Sequence, residues 1–421
     1  MNRQQRPPFA RLSRLLRWRP GGFARDSLEM MGWLGLRGAL QGGVLVVSAR
    51  CLGTSPFGFF VGAQAVIGFF APFSGLGLYG VILRDGARDQ GALAHMLGMA
   101  LRMSMAVGVL LAPFAALAVW LSLSPPAALL GAIGMLALGE MVAFNGIELL
   151  ARAAQACRRM RAYGALRSGL AATRLVALAG LYAVAGKCSV QTWMMVYGAA
   201  SLLCLVAVLP PGVLLARRGG VRPRAMLAGG LPYAAGAFAV RLQEEFNKPL
   251  LAGIAYADAA VFSVAHRIIN LAGLPITAML ETLWPRVYVE QDPMRRLRVL
   301  GAAIFALALA AGVLLAGIAP WLPMLLGAGF AGSVRPLLWM AWLPAVQVVR
   351  NVSNLRLILD GTDGNLLLVY AVGALAGMGF ALLLIPRHGT TGAILAAYLT
   401  ELTLIGVQEG VRRARRGGRV A

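Results

Sequence analysis

Apolar runs of about 20 residues follow one another along almost the whole chain, each closed by a short stretch rich in arginine, glycine, proline or serine. A helix needs ~20 mostly apolar residues to cross the hydrocarbon of a bilayer. The runs predict twelve such helices, at roughly 29–50, 57–83, 96–121, 127–151, 166–185, 191–215, 229–252, 260–284, 299–326, 337–355, 365–385 and 391–411. They take up more than half of the 421 residues, so the connections are short and no separate soluble domain fits between them. The predicted fold class is an all-α polytopic membrane protein.

The basic residues add an orientation. Of 39, all but Lys187 and Lys248 are arginine, set against 16 acids. The alternate connections 1–28, 84–95, 152–167, 216–225, 286–298, 356–364 and 412–421 hold 28 of them. The opposite connections, 51–56, 122–126, 186–190, 255–259, 327–336 and 386–390, hold 3. The positive-inside rule then puts both termini in the cytoplasm and the chain in a bacterial inner membrane. The organisation read from this is a basic N-terminal segment (1–28), an N-lobe of six helices (29–215), a basic hinge (216–228), a C-lobe of six helices (229–411) and a basic tail (412–421). In the first segment Phe9, Leu12, Leu15 and Leu16 share one helical face and Arg11, Arg14 and Arg17 another. It is either a basic helix on the inner leaflet or a disordered basic tail.

Composition agrees with the pattern: 59% of residues are hydrophobic and 13% charged, about half the usual charge of a soluble domain. Mean hydropathy is +0.73. A net charge of +23 on a soluble protein would suggest nucleic acid. Here the arginines sit between spans, so the expected partner is anionic membrane lipid, with no nucleic acid. Cys51, Cys157, Cys188 and Cys204 show no metal spacing, and His95, His266 and His388 are scattered. Cys51 and Cys188 both fall outside, where a disulfide can form. The preferred reading is two unpaired small apolar side chains at helix ends.

The two groups of six carry a weak internal echo. Arg37 and Arg241 stand near the middle of the first and seventh spans. Pro56-Phe57-Gly58-Phe59-Phe60 and Ala259-Ala260-Val261-Phe262-Ser263 open the second and eighth. Both halves start inside, as parallel repeats do. Gly38/Gly42 and Gly373/Gly377 have small-residue spacing for close helix packing. Pro72, Pro113, Pro211, Pro249, Pro275 and Pro344 lie in or near spans, where each can bend a helix.

Several segments resemble Wzx-type polysaccharide flippases. Ser48-Ala49-Arg50-Cys51-Leu52-Gly53-Thr54-Ser55-Pro56-Phe57-Gly58 is similar to the turn joining their first two helices. Leu76-Gly77-Leu78 with Arg84 resembles the end of their second helix, and Arg158 to Arg167 their basic loop before helix five. Gly230-Leu231-Pro232-Tyr233-Ala234 resembles the start of their second half. Leu326-Gly327-Ala328-Gly329-Phe330 and Ile385-Pro386-Arg387-His388-Gly389-Thr390-Thr391-Gly392-Ala393 are similar to two late signatures. The resemblance implies the multidrug/oligosaccharidyl-lipid/polysaccharide exporter fold, two six-helix lobes around a central cavity. It also implies movement of a lipid-linked oligosaccharide to the outer leaflet by alternating access. A polymerase and glycosyltransferases of the same pathway are implied partners. The family often has an acid in helix seven where this chain has Asn247-Lys248-Pro249.

Ionisable residues inside spans are costly and tend to be functional or paired. In the resembled fold Arg37, Arg241 and Arg267 lie on cavity-lining helices, where a guanidinium can hold a pyrophosphate or acidic sugar. With Lys248 they are the candidate substrate residues. Arg241, Glu244, Glu245 and Lys248 share one helical face. Arg241 with Glu245 and Glu244 with Lys248 are expected as i,i+4 pairs, either coupling export to an ion or fixing the helix. Glu244, Glu245, Glu140 and His266 are the candidates for proton or sodium coupling. No other cofactor and no metal is expected. Glu148 is expected to pair with Arg152, and Glu281 with Arg286 near the inner end of its span or by snorkelling. Glu401 is a candidate cap of a lobe interface. Arg50 either caps helix-end carbonyls or gates. Arg174, in the fifth span, has no assigned role.

No enzyme is expected. The outer connections are roughly 5–10 residues long and carry no nucleophile–base pair. A drug exporter of the same superfamily and a lipid II-type flippase are the alternatives. Apart from Glu29 at its very start, the first span holds no acid, which favours an anionic substrate over a cationic one.

Overall fold

The computed structural model describes residues 22–210, 222–276, 293–359 and 366–417, with Gly212 and Met279. The N-terminal segment to residue 21, most of the hinge, Glu281 and Arg286 lie outside the described residues. Helices and short connections make up the described chain, with no strand among them.

The first lobe runs through α1 (Gly22–Leu52), α2 (Thr54–Ser74), α3 (Leu78–Arg88), α4 (Leu93–Leu123), α5 (Leu130–Leu138), α6 (Phe144–Ala156), α7 (Met160–Ala185) and α8 (Val190–Val208). The second runs through α9 (Pro223–Glu245), α10 (Asn247–Ile254), α11 (Tyr256–Ala272), α12 (Pro293–Ile318), α13 (Leu322–Leu326), α14 (Val334–Met340), α15 (Leu343–Leu359) and α16 (Leu366–Gly417). These elements give twelve crossings in two six-helix lobes around a central cavity. α16 contributes two of them. At Gly389 its backbone turns (φ 53°, ψ −128°), and the arms fold back so that Gly373 meets Leu404 and Gly377 meets Thr400.

Several predicted spans are broken, and three of the breaks have a clear local reason. The second stops at Ser74 instead of running to 83. Pro72 removes a donor, and Leu76 and Gly77 adopt left-handed backbone (φ 52° and 62°). Asn145 ties this break to α6 by donating to the Ala71 carbonyl at 2.9 Å and the Ser74 hydroxyl at 2.6 Å. The seventh stops at Glu245, because Pro249 has no N–H for the Glu245 carbonyl four residues back. The fourth holds one π turn, Gly139–Ala143, between α5 and α6.

The lobes pack together along α2, and two of their close approaches lie at opposite ends of the bundle. At the end opposite the basic loops, α2 crosses the start of α11 so closely that a Cβ on Gly58 would lie 1.7 Å from the Tyr256 carbonyl oxygen. Phe57 packs edge-on against Phe330 at 5.7 Å. Arg50 donates to the carbonyls of Leu325 (2.8 Å) and Met324 (3.2 Å) in the other lobe. Capping and bridging are thus one contact. At the basic end, a Cβ on Gly77 would lie 2.1 Å from the Gly230 carbonyl oxygen, and one on Gly230 2.3 Å from that of Leu76. The four sequence signatures involved therefore meet in pairs across the lobe boundary.

The cysteine reading is corrected. Cys51 and Cys188 form a disulfide, with Cα atoms 5.9 Å apart, within the usual range. The end of α1 meets the α7–α8 connection there, a proximity that spacing alone does not reveal.

Candidate functional site

A polar cavity of about 280 Å³ lies between the lobes. Its walls carry five cations (Arg37, Arg174, Arg241, Lys248, Arg267) and two acids (Glu140, Glu245). Apolar Phe57 and Val61 of α2 line it as well. A second cavity of about 660 Å³ shares Arg241 and Phe144 and continues to Tyr79, Arg152 and Tyr233. Tyr79 and Tyr233 stand 6.2 Å apart, ring to ring, beside the basic-end contact.

The two acids of the first cavity are engaged. Glu140 stands on the π turn, and its Oε1 accepts from Tyr197 (2.8 Å) and Gln64 (3.1 Å) and lies 3.0 Å from Arg174. The Arg174 guanidinium sits 4.2 Å above the Tyr197 ring and donates to Ser201 at 2.8 Å. Glu245 pairs with Lys248 across the α9–α10 break. The expected Arg241–Glu245 and Glu244–Lys248 pairs do not form; Lys248, beyond the break at Phe246, pairs with the i+3 acid instead. Glu244 is exposed to the larger cavity and has no ion-pair partner among the described residues.

Arg37, Arg241 and Arg267 line the same cavity from α1, α9 and α11, and none has an acid within 4 Å among the described residues. His266 is buried, stacked on Phe262 (10° between planes), with its Nδ1 3.5 Å from the Asn270 amide. All eight candidate residues thus line one or other cavity.

Other charges are local braces. Glu148 pairs with Arg152 (2.8 Å), as expected, and also with Arg167 (3.1 Å). Glu401 pairs with Arg350 at 3.1 Å, joining α15 to α16 inside one lobe and capping no lobe boundary. Near the basic end, outside the spans, Arg84 bonds Asp85 and holds its carboxyl below the usual range.

Sequence reasoning missed three members of the site. Arg174 was visible as a charge within a span. Gln64 is the lone amide in the apolar run of α2. Tyr197 gives no signal, since a tyrosine in a span is ordinary.

No protein-family model matches the chain, and no curated protein matches it in sequence. Solved structures do. An inward-facing multidrug resistance MATE family transporter of the MOP superfamily superposes with a TM-score of 0.65 at 14% identity, over 93% of this chain and 98% of the other. The lipid II flippase MurJ, in an inward closed conformation, gives 0.70 at 10% identity, over 92% and 87%. A Vibrio cholerae MATE transporter gives 0.61 at 16% identity, over 93% and 97%. The chain has their fold. That fold puts the cationic cavity between its two lobes, where Arg37 of one half and Arg241 of the other face the same space.

Proposed function

We propose that this protein is a transporter that flips an anionic lipid-linked oligosaccharide or polysaccharide precursor from the cytoplasmic to the outer leaflet by alternating access. One observation carries the reading: five cations against two acids around the inter-lobe cavity, with three guanidinium groups left without an acid among the described residues. Such a wall has strong demand for a phosphate or carboxylate, which guanidinium binds in bidentate fashion. It repels the organic cations that a drug exporter would carry. The adjoining cavity, with its tyrosines and Asn145, offers rings and hydrogen-bonding groups to saccharide.

The test is deletion of the gene, followed by analysis of surface polysaccharide and lipid-linked intermediates. Loss of the surface glycan with accumulation of its lipid-linked precursor supports the reading. A normal glycan profile together with raised sensitivity to cationic dyes would favour the multidrug alternative. Accumulated peptidoglycan precursor would favour a lipid II flippase.

A further inference from the structure

Away from the central cavity, α12 and α15 pack antiparallel and leave a groove of about 220 Å³ between them. It is lined by Arg298, Gly301 and Phe305 of α12 and by Val348, Val349, Val352 and Arg356 of α15. A Cβ on Gly301 would touch Val352 at 3.1 Å, so the two helices pack closely beneath the arginines. Arg298 lies near the start of α12 and Arg356 in the last turn of α15, so both guanidinium groups are at the basic end of the bundle. From Arg298 the floor descends seven residues to Phe305, about 10 Å at 1.5 Å per residue. Except for Ser353, that floor is apolar, and no acid lines the groove. Neither arginine has an ion-pair partner among the described residues. Arg298 makes one hydrogen bond, from Nε to the Met294 carbonyl at 3.4 Å.

Two cations at one end of an apolar trough match the shape and charge of a phospholipid, headgroup above and acyl chain below. We propose that this groove is a binding site for one diacyl anionic phospholipid of the cytoplasmic leaflet. Arg298 and Arg356 hold its phosphate, and one acyl chain lies along Gly301, Val352 and Phe305. A free phosphate would use the arginines alone and gain nothing from the floor. The site is separate from the substrate cavity and stands whether or not the protein carries a glycan.

Native mass spectrometry of the full chain in detergent, titrated with phosphatidylglycerol or phosphatidylethanolamine, tests it. The expected result is one phosphatidylglycerol adduct retained in preference to phosphatidylethanolamine. Arg298→Ala and Arg356→Ala should each weaken it roughly five-fold, from the usual contribution of a cation near an anionic surface. Val349→Trp, which fills the trough and leaves both charges, should weaken it as well. Arg159→Ala, exposed at the basic end of the other lobe, should not. Melting temperatures without lipid check that the variants fold. Equal retention by the wild type and the Arg298→Ala/Arg356→Ala double variant would overturn the proposal. So would equal retention of the two lipids, or a protein dimer in place of the adduct.

Discussion

Arg37, Arg241 and Arg267 are the side chains whose placement most needs a reason. A charge at the middle of a span costs roughly 2.5–3.5 kcal/mol even on the lenient insertion scale. These three face a cavity and not lipid, and no acid among the described residues balances them. Replacing Arg37 or Arg241 with Ala should therefore leave membrane protein level near normal and stop glycan export. Arg174 is different, because it is bound to Glu140. Glu140→Gln should leave that guanidinium without its acid and destabilise the lobe by up to about 3–5 kcal/mol, seen as lower abundance and a lower melting temperature in detergent. Glu244 is the acid of α9 without an ion-pair partner among the described residues. Glu244→Gln should change the pH dependence of export at unchanged abundance, whereas Glu245→Gln should unseat Lys248. The charged residues themselves were legible in the sequence, since each interrupts an apolar run. Their pairing was not, because Lys248 stands beyond the break after Glu245 and meets the i+3 acid.

Helix ends show the same division. The signature glycines Gly58, Gly77 and Gly230 stand out in sequence, but what each approaches is a backbone in the other lobe, more than 150 residues away. Gly58→Val should hold the lobes apart at the end opposite the basic loops. A cysteine placed at cavity-lining Val61 should then react faster with a membrane-impermeant thiol reagent added from outside. Unchanged labelling would count against that contact as a closure. The π turn was invisible in sequence for a comparable reason. It lies where α5 and α8 nearly touch, a Cβ on Gly139 coming 2.9 Å from Gly198. The disulfide can be read directly. Cys51 and Cys188 should resist alkylation until reduced, while Cys157 labels in denaturant without reductant. Loss of the bridge should lower stability by about 2–4 kcal/mol.

Across the whole molecule the twelve-span count and the two-lobe division were legible, because apolar length and charge alternation are properties of the chain alone. The cavity was not, since its walls come from residues as distant as Arg37 and Arg267. The same alternation predicts an orientation. Reporter fusions within 216–225 should be active in the cytoplasm and fusions within 186–190 in the periplasm, and the reverse pattern would invert the direction of transport. The Cys51–Cys188 bridge adds an ordering in time. Its partners are separated by 137 residues, and the second emerges only after α7 has been made. Once it closes, α1 is covalently tied into a ring that includes α2 to α7, and closure during synthesis would precede the later helices. The first lobe can then be sealed before its counterpart exists, leaving the second to be built against a finished face. Export of the nascent chain and supply of oxidant are thereby linked. A cell lacking periplasmic oxidation would make the same helices but release the first of them unfastened, and quality-control proteolysis should act on that form before the second lobe has docked.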